Sequence, residues 1–186
     1  MTETKRELRK RIIAQRDLLS DDERKSSQIL LKEHVLSHQW FREAKELLVF
    51  VSYGSEIDTG EIISEAHRLQ KKIYVPKIDG DVMEFYRIMP GEELKEGYKG
   101  ILEPDLLVAH EKFVFLKEKT DNSLMIMPGV AFDAKRNRIG YGKGFYDKYL
   151  ADKPELRTIA VGFDMQIVPE IEAEETDIRP MQVICV

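Results

Sequence analysis

Residue types suited to binding phosphate are concentrated between positions 137 and 147, where the sequence reads NRIGYGKGFYD. Gly140, Gly142 and Gly144 alternate with other residues, and Lys143 stands between the last two. Because glycine has no Cβ atom and tolerates positive φ angles, successive backbone amides in such a loop can face one anion. A helix that begins near Gly144 would add the partial positive charge of its amino terminus. The pattern favours a phosphate-binding loop, although a glycine-rich turn between a strand and a helix, with Lys143 in solvent, would have the same composition.

The loop differs from two established nucleotide-binding patterns. A Walker A motif requires glycine where this chain has Asn137, and serine or threonine where it has Gly144. The spacing of the glycines also differs from that of G-x-G-x-x-G. The loop therefore predicts anion binding without identifying the ligand.

Asp147 follows Lys143 by four residues and would lie in the first turn of the helix, close to any bound phosphate. A carboxylate at this place repels a phosphate unless a cation such as Mg²⁺ bridges the two groups. The same carboxylate would also compensate the positive charge at the start of a helix. The residues alone are compatible with both interpretations of Asp147.

Basic residues are clustered in the first helical segment, at Lys5, Arg6, Arg9, Lys10 and Arg11. Positions 5 and 9 share one helical face, next to apolar residues at positions 8 and 12. Considered by itself, a cluster of this kind is typical of a solvated helix face.

A third polar segment, SYGSEIDT at residues 52–59, follows directly after a strongly apolar run. In open α/β sheets, ligands bind at the carboxyl ends of the strands. Glu56 and Asp58 are therefore candidates for ligand contacts, although the segment is also rich in ordinary turn formers.

Helices and strands alternate along the chain in a way that would bring these segments together. Helical spacing predicts two helices in the first 40 residues, the second begun by a capping box of Ser20 and Glu23. Further helices are predicted after Thr59, whose side chain can cap the first turn, and from about residue 144. Short apolar runs predict strands at 47–51, 72–76, 82–88, 124–127, 157–161 and 181–186, with a turn at Asp79–Gly80, while 89–119 is expected to be mostly loop. This alternation predicts an α/β fold with a mostly parallel central sheet, in a single domain over residues 1–186.

Composition limits the classes of function. The formal net charge of −5 disfavours nucleic acids and anionic membranes as partners, so nucleic-acid binding through the basic helix is the weakest hypothesis. Cys185 is the only cysteine, which excludes an intrachain disulfide. The amino terminus lacks an apolar signal-peptide region, and the sequence lacks an apolar run long enough to span a bilayer. We expect a soluble cytoplasmic protein, and a monomer.

Taken in order, the basic helix, the glutamate-containing segment, MPGVAFD and NRIGYGKGFYDKYL resemble the 5-formyltetrahydrofolate cyclo-ligases, also called methenyltetrahydrofolate synthetases. The resemblance implies a three-layer αβα sandwich. It also implies an enzyme that uses ATP and Mg²⁺ to cyclise 5-formyltetrahydrofolate to 5,10-methenyltetrahydrofolate, with release of ADP and phosphate. In the family's mechanism the formyl oxygen is phosphorylated, which makes it a good leaving group before nitrogen 10 closes the ring.

The resemblance further implies roles for residues that match the family's motifs, with Lys143 and Arg138 as catalytic residues. The implied ATP-binding residues are Lys5, Arg6, Glu7, Leu8 and Arg9, together with Arg138, Ile139, Gly140, Tyr141, Gly142, Lys143, Gly144, Phe145 and Tyr146. The implied folate-binding residues are Val51, Glu56, Tyr141, Gly142, Lys143, Gly144 and Phe145, and Glu56 is suited to accept hydrogen bonds from the pterin N–H groups. Asp147 and Asp177 match the magnesium positions, although Thr176 stands where many family members have histidine.

One alternative to an enzyme is kept from the sequence alone. A sandwich of this type, similar to the sugar-phosphate isomerases, could bind a phosphorylated metabolite without catalysis, because a fold does not by itself imply an activity.

Overall fold

The computed structural model describes residues 3–107 and 110–186 of the chain. The helices are α1 (Lys5–Asp17), α2 (Asp21–Ser37), α3 (Gln39–Glu43), α4 (Gly60–Arg68) and α5 (Phe145–Leu150). The strands are β1 (Glu46–Val49), β2 (Lys72–Asp79), β3 (Val82–Ile88), β4 (Lys95–Glu96), β5 (Leu102–Glu103), β6 (Ser123–Pro128), β7 (Ala131–Phe132), β8 (Arg138–Ile139), β9 (Arg157–Gly162) and β10 (Gln182–Cys185). Both capping boxes at the amino termini of α1 and α2 are formed, the second by Ser20 and Glu23 as the sequence predicts.

The central sheet has six strands in the order β10-β9-β6-β1-β2-β3. All neighbouring pairs are parallel except β2 and β3, which form a hairpin through the predicted turn at Asp79–Gly80. The predicted α/β fold with a mostly parallel sheet is confirmed. From β1 the chain continues to β2 on one side, whereas from β6 it continues to β9 on the other. The carboxyl ends of β1 and β6 therefore flank the point where the strand order reverses, which is where open α/β sheets bind ligands.

Both faces of the sheet are covered by helices. In β1, Leu47 and Val49 point into a core that includes residues of α2 and α4. Leu48, between them, points to the opposite face, into a core that includes Phe85 and Tyr149, the latter from α5. A third apolar cluster holds Leu8 of α1 and other residues of that helix against the segment that follows β6. Each buried apolar side chain contributes about 1.5–3 kcal/mol to folding.

The hairpin formed by β7 and β8 carries the chain from the sheet edge to the glycine loop, by which we mean residues 140–144. Its turn is organised by Asp133, which is 4% exposed. The carboxylate accepts hydrogen bonds from the backbone N–H groups of Lys135 (2.9 Å), Asn137 (2.8 Å) and Ile171 (3.0 Å) and from Asn137 Nδ2 (2.8 Å). This hairpin was not predicted, because strands of only two residues each are too short to show an alternating pattern.

Two features differ from the sequence-based prediction. Thr59 precedes α4, but its side chain does not cap the helix; Thr59 Oγ1 donates instead to the carbonyl oxygen of Phe50 at 2.7 Å. The segment after β3 is largely irregular, as expected, but it includes the hairpin of β4 and β5. That hairpin is anchored by the buried carboxylate of Glu103, which pairs with Lys77 Nζ at 3.1 Å.

Among the helices that the structure describes, none combines the length and the apolar character required to cross a bilayer.

We expect the Asp133→Ala variant to lose about 3 kcal/mol or more of unfolding free energy in urea denaturation, because several buried donors lose one charged acceptor. Asp152→Ala, which removes an exposed carboxylate, is the matched control and should change stability little.

Burial raises the pKa of Asp133, but the hydrogen bonds from Asn137, Ile171 and Lys135 outweigh this and leave the pKa below its ordinary value.

The stabilisation from Asp133 is therefore complete above the ordinary carboxyl pKa of about 4 and decreases as the pH falls below it. The difference between wild type and Asp133→Ala should narrow in acid. A constant difference down to the acid-unfolding transition would contradict this account of the turn.

Candidate active site

Three segments that are far apart in the sequence meet at the carboxyl edge of the sheet. They are the segment after β1 that includes Glu56, the glycine loop after β8, and helix α1. Arg9 Nε in α1 donates to the carbonyl oxygen of Gly140 at 2.7 Å. Arg16 Nη2, two turns further along α1, donates to the hydroxyl of Tyr141 at 2.5 Å, and Arg16 Nε donates to Ser55 Oγ at 3.0 Å. Helix α1 thus joins the two loops that extend from the sheet edge.

The glycine loop requires glycine for two different reasons. Gly142 and Gly144 have φ angles of 93° and 66°, a region that side chains with a Cβ atom rarely adopt. Gly140 has an ordinary φ, but a Cβ atom there would lie 2.9 Å from Arg138 Nη1. Because Gly140 has only a hydrogen atom at this position, the buried guanidinium of Arg138 can occupy the space. Helix α5 follows the loop but has only six residues, so its dipole contributes less than the sequence suggested.

The basic face of α1 is not simply solvated. Lys5 Nζ pairs with Asp177 at 2.6 Å and with Glu174 at 2.8 Å. The guanidinium of Arg9 lies 3.5 Å from the place where a Cβ atom of Gly142 would stand, so it packs directly on the glycine loop.

The other three residues of α1 that are implied to bind the nucleotide differ in their exposure and in their contacts. Arg6 is exposed. The carboxylate of Glu7 completes the capping box with Thr4, and Leu8 is buried against the segment after β6. A nucleotide contact from Glu7 or Leu8 would therefore involve the backbone, and the assignment of these residues stays a prediction.

Arg138 and Asp147 form the inner ion pair of the site. Arg138 Nη2 lies 3.1 and 3.2 Å from the two carboxylate oxygens of Asp147, and the two side chains are 4% and 20% exposed. The guanidinium also stands over the ring of Tyr146, 5.8 Å from its centroid. Arg138 Nε is buried and has no hydrogen-bond partner among the described residues. An unpaired buried donor next to a glycine-rich backbone is suited to an anionic ligand.

The two predicted magnesium ligands are neighbours in space. Asp147 Oδ1 accepts a hydrogen bond from the backbone N–H of Ile178 at 3.0 Å, and Ile178 directly follows Asp177. Over the described ranges 3–107 and 110–186, no group of three or more His, Cys, Asp or Glu side chains is arranged to hold a metal ion. Mg²⁺ does not require such a group, since it is commonly bound by one or two carboxylates together with substrate phosphates and water. Asp147 and Asp177 fit that kind of site.

Glu56 is a partly buried acid near Tyr141 of the glycine loop. Glu56 Oε2 accepts the backbone N–H of Tyr53 at 2.9 Å. Burial raises the pKa of Glu56, and the opposing influences are the Tyr53 N–H group, the positive charge of Arg16 and the hydroxyl of Tyr141. Burial and the negative charge of Glu56 in turn raise the pKa of Tyr141 to about 12. Glu56 is one of the residues that line a cavity of about 550 Å³, and a partly buried carboxylate in such a place is suited to accept N–H groups of a ligand.

The remaining predicted residues differ in their exposure to solvent. Lys143 is exposed and forms no salt bridge within the part of the chain that the structure describes. Phe145 packs edge-on against Tyr98 of the turn between β4 and β5, with ring centroids 5.6 Å apart. Ile139 is buried against α1, and Val51 packs at the margin of the main core.

Two contributions were not predicted from the sequence. Arg16 is fully buried, and the signal that could have revealed it is its spacing of four residues from Ile12 and eight from Leu8, the other buried residues of α1. Tyr98 lies in the irregular segment, where the pattern of residues gave no indication of a contact with Phe145. Gln166 has a structural role, because its Nε2 donates to the carbonyl oxygens of Gly129 and Val130 at 2.7 and 3.0 Å.

Comparisons with known proteins identify the family of the chain. A model of the 5-formyltetrahydrofolate cyclo-ligase family matches residues 1–186. The chain belongs to this family. It is similar to the 5-formyltetrahydrofolate cyclo-ligase of Mus musculus, with 29% identity over 97% of the chain and 92% of the mouse protein. Similarity to the corresponding Escherichia coli K12 protein is 34% identity over 73% of the chain and 74% of that protein.

A comparison with solved structures supports the same family assignment. The NMR structure of Aquifex aeolicus 5,10-methenyltetrahydrofolate synthetase superposes with a TM-score of 0.82 at 27% identity, covering 97% of this chain and 89% of that one. The predicted family, and with it the prediction of a cyclo-ligase enzyme, is confirmed. The roles of individual residues stay predictions that rest on the geometry above.

A double-mutant cycle of Arg138→Gln and Asp147→Asn should give a coupling energy of about 1–3 kcal/mol in urea unfolding, because the pair is shielded from water. The exposed pair Lys135–Glu170, 68% and 72% exposed, is the matched control and should show no measurable coupling. Equal coupling in both cycles would mean that Arg138 and Asp147 do not form a protected pair in solution.

Proposed function

We propose that this family member cyclises 5-formyltetrahydrofolate to 5,10-methenyltetrahydrofolate at the expense of ATP, with Mg²⁺ bound to the nucleotide. The observation that carries the proposal is the contact of α1 with the glycine loop, which gathers Lys5, Arg9 and Arg138 around a backbone able to hold phosphate. A partly buried carboxylate, that of Glu56, lies near Tyr141 of the same loop. One loop thus separates an anion-binding half of the site from a half with an acceptor for a pterin.

The charges on the nucleotide side suit Mg-ATP. Four cationic residues, Lys5, Arg9, Arg138 and Lys143, outnumber the three carboxylates paired with them, which are those of Asp147, Asp177 and Glu174. The excess of positive charge favours a ligand with net negative charge. Asp147 and Asp177 would hold Mg²⁺, which neutralises charge on the transferring phosphoryl group.

The chemistry asks the protein mainly to align two substrates. The formyl oxygen attacks the γ-phosphorus while the bond from that phosphorus to the β–γ bridging oxygen breaks, and ADP leaves. Nitrogen 10 then bonds to the formyl carbon and loses its proton, and the former formyl oxygen leaves with the phosphate. Lys143 and Arg138 would stabilise the phosphoryl charge during transfer, and Glu56 would hold the pterin so that its formyl oxygen faces the γ-phosphate.

Substitution of Lys143 tests the proposed phosphate contact. With Mg-ATP and 5-formyltetrahydrofolate, the wild type should produce the near-ultraviolet absorbance of the methenyl product and release phosphate in equal amount. Lys143→Ala should lower kcat at least about a hundredfold, because a charge that stabilises the transition state is removed. Its melting temperature should be unchanged, since Lys143 is exposed.

Lys148→Ala, an exposed lysine of α5, is the matched control and should keep wild-type turnover. If Lys143→Ala keeps wild-type activity, the loop does not bind the transferring phosphate. If folded wild-type protein binds nucleotide but neither forms product nor releases phosphate, the proposed reaction is wrong.

Substitution of Asp177 tests the proposed metal site. Chelation of Mg²⁺ should abolish turnover and excess Mg²⁺ should restore it. Asp177→Asn should raise the Mg²⁺ concentration for half-maximal activity roughly tenfold or more, because one of two charged ligands becomes neutral. The neighbouring exposed Glu175→Gln is the control and should not change this concentration. An unchanged Mg²⁺ dependence in Asp177→Asn would remove Asp177 from the metal site.

A further inference from the structure

The hairpin of β4 and β5 touches both segments that frame the site, although no step of the proposed reaction involves it. We call residues 97–101, which lie between the two strands, the hairpin tip. On one side of the tip, the ring of Tyr98 packs edge-on against Phe145 at the start of α5, with centroids 5.6 Å apart and an interplanar angle of 88°. On the other side, Gly100 lies against Tyr53, since a Cβ atom at Gly100 would stand 3.6 Å from Tyr53 Cε2. The tip therefore connects the segment after β1 with the segment that carries the glycine loop.

The aromatic residues at the tip adjoin residues that the proposed function uses. Phe145 directly follows Gly144, the last residue of the glycine loop. Tyr53 donates its backbone N–H to Glu56 Oε2 at 2.9 Å. Tyr98 and Phe145 are half-buried and Tyr53 is 45% exposed, so each ring keeps part of its surface in solvent. Rings placed in this way at the edge of a site are suited to cover a planar ligand.

The carboxylate of Glu103 in β5 attaches this hairpin to the central sheet. The strands β4 and β5 form a separate two-stranded sheet, so side-chain contacts must determine where the hairpin lies. Glu103 is 3% exposed. Its Oε2 pairs with Lys77 Nζ at 3.1 Å, and its Oε1 accepts the backbone N–H of Ile78 at 3.2 Å, both from β2. Because a buried carboxylate is costly without such partners, these contacts favour one position of β5 over others.

The same carboxylate packs directly against the hairpin tip. A Cβ atom at Gly97 would overlap Glu103 Oε2, so the carboxylate fits only because position 97 is glycine. The backbone N–H of Gly97 donates to the carbonyl oxygen of Ile101 at 2.8 Å, and Ile101 N–H donates to the carbonyl oxygen of Tyr98 at 3.0 Å. The tip is thus closed by its own hydrogen bonds, and a change at Glu103 should move it as one unit.

We propose that Glu103 is a positioning residue, which holds the hairpin tip so that Tyr98 and Tyr53 flank the folate half of the site. The inference rests on the proposed function, in which the ligand of that half is the pterin of 5-formyltetrahydrofolate. Glu103 acts through the tip and does not touch the substrate. Because side chains that are fixed before a ligand arrives lose less entropy on binding, the anchor contributes to folate affinity and not to phosphoryl transfer.

Steady-state kinetics with both substrates separate this role from a contribution to stability alone. Glu103→Ala should raise the KM for 5-formyltetrahydrofolate about fivefold to tenfold, the factor that corresponds to the loss of one aromatic contact. The KM for ATP and kcat should change less than about twofold, as expected when only ground-state binding is lost. Since KM does not depend on the amount of folded enzyme, partial unfolding cannot produce this pattern.

Two further variants complete the kinetic test. Glu103→Gln keeps an acceptor of the same length for the Ile78 N–H group and should have a folate KM between those of the wild type and Glu103→Ala. Glu96→Gln, which changes an exposed carboxylate of β4, is the matched control and should behave as wild type. An unchanged folate KM in Glu103→Ala, or an equal rise in both KM values, overturns the inference.

Proton NMR of the aromatic rings makes the test independent of turnover. Nuclear Overhauser contacts between the rings of Tyr98 and Phe145 should be present in the wild type and in Glu96→Gln and lost in Glu103→Ala. Persistence of these contacts in Glu103→Ala overturns the anchoring role. A wild type without turnover rejects the proposed reaction, whereas the NMR comparison still decides whether Glu103 holds the tip.

A variant of the tip itself covers the case in which Glu103→Ala does not fold. Tyr98→Ala removes the half-buried ring that contacts Phe145 and should raise the folate KM by the same factor, with little change in the KM for ATP. Tyr98→Phe keeps the ring and should behave as wild type. An unchanged folate KM in Tyr98→Ala would overturn the inference.

Discussion

The packing of α1 on the glycine loop is the contact on which the site depends. Helix α1 packs against the segment that follows β6 through a small apolar cluster. Its remaining contacts are polar: Arg9 donates to the carbonyl oxygen of Gly140, and Arg16 to the Tyr141 hydroxyl. Because these donors bind the loop itself, they fix the loop relative to the segment after β1. The helix therefore works as a brace between the two halves of the site.

Two cations of the site are already paired with carboxylates in the structure. Lys5 pairs with Asp177, and Arg138 pairs with Asp147. In the proposed reaction, a polyphosphate would compete with the carboxylates for these cations, and a magnesium ion would take the carboxylates. Each charged group then exchanges one partner of opposite sign for another, so no unpaired charge is buried before or after binding. Such pairing also holds the side chains near their working positions, which limits the entropy lost when a ligand binds.

The topology of the sheet explains why these groups meet. The chain leaves β1 toward one side of the sheet and leaves β6 toward the other, so the two following segments must diverge and leave a crevice. Glu56 follows β1, and the glycine loop follows β6 after the short hairpin of β7 and β8. Asp133 closes the turn of that hairpin with four hydrogen bonds and thereby determines the direction in which the glycine loop starts.

By itself, the sequence determined the fold class, the capping box of α2 and the glycine loop as an anion-binding segment. These features depend on local spacing, and period-two or period-3.6 patterns and turn residues are visible along one chain. The sequence did not determine that Lys5 and Arg9 contact other segments of the chain, that Thr59 does not cap its helix, or that Arg16 is buried against Ser55 and Tyr141. Each of these depends on which surface lies opposite, and two positions 40 residues apart such as Arg16 and Glu56 acquire a common electrostatic environment only after the chain has folded. A buried charge is therefore defined by its partners in space, which only the tertiary structure supplies.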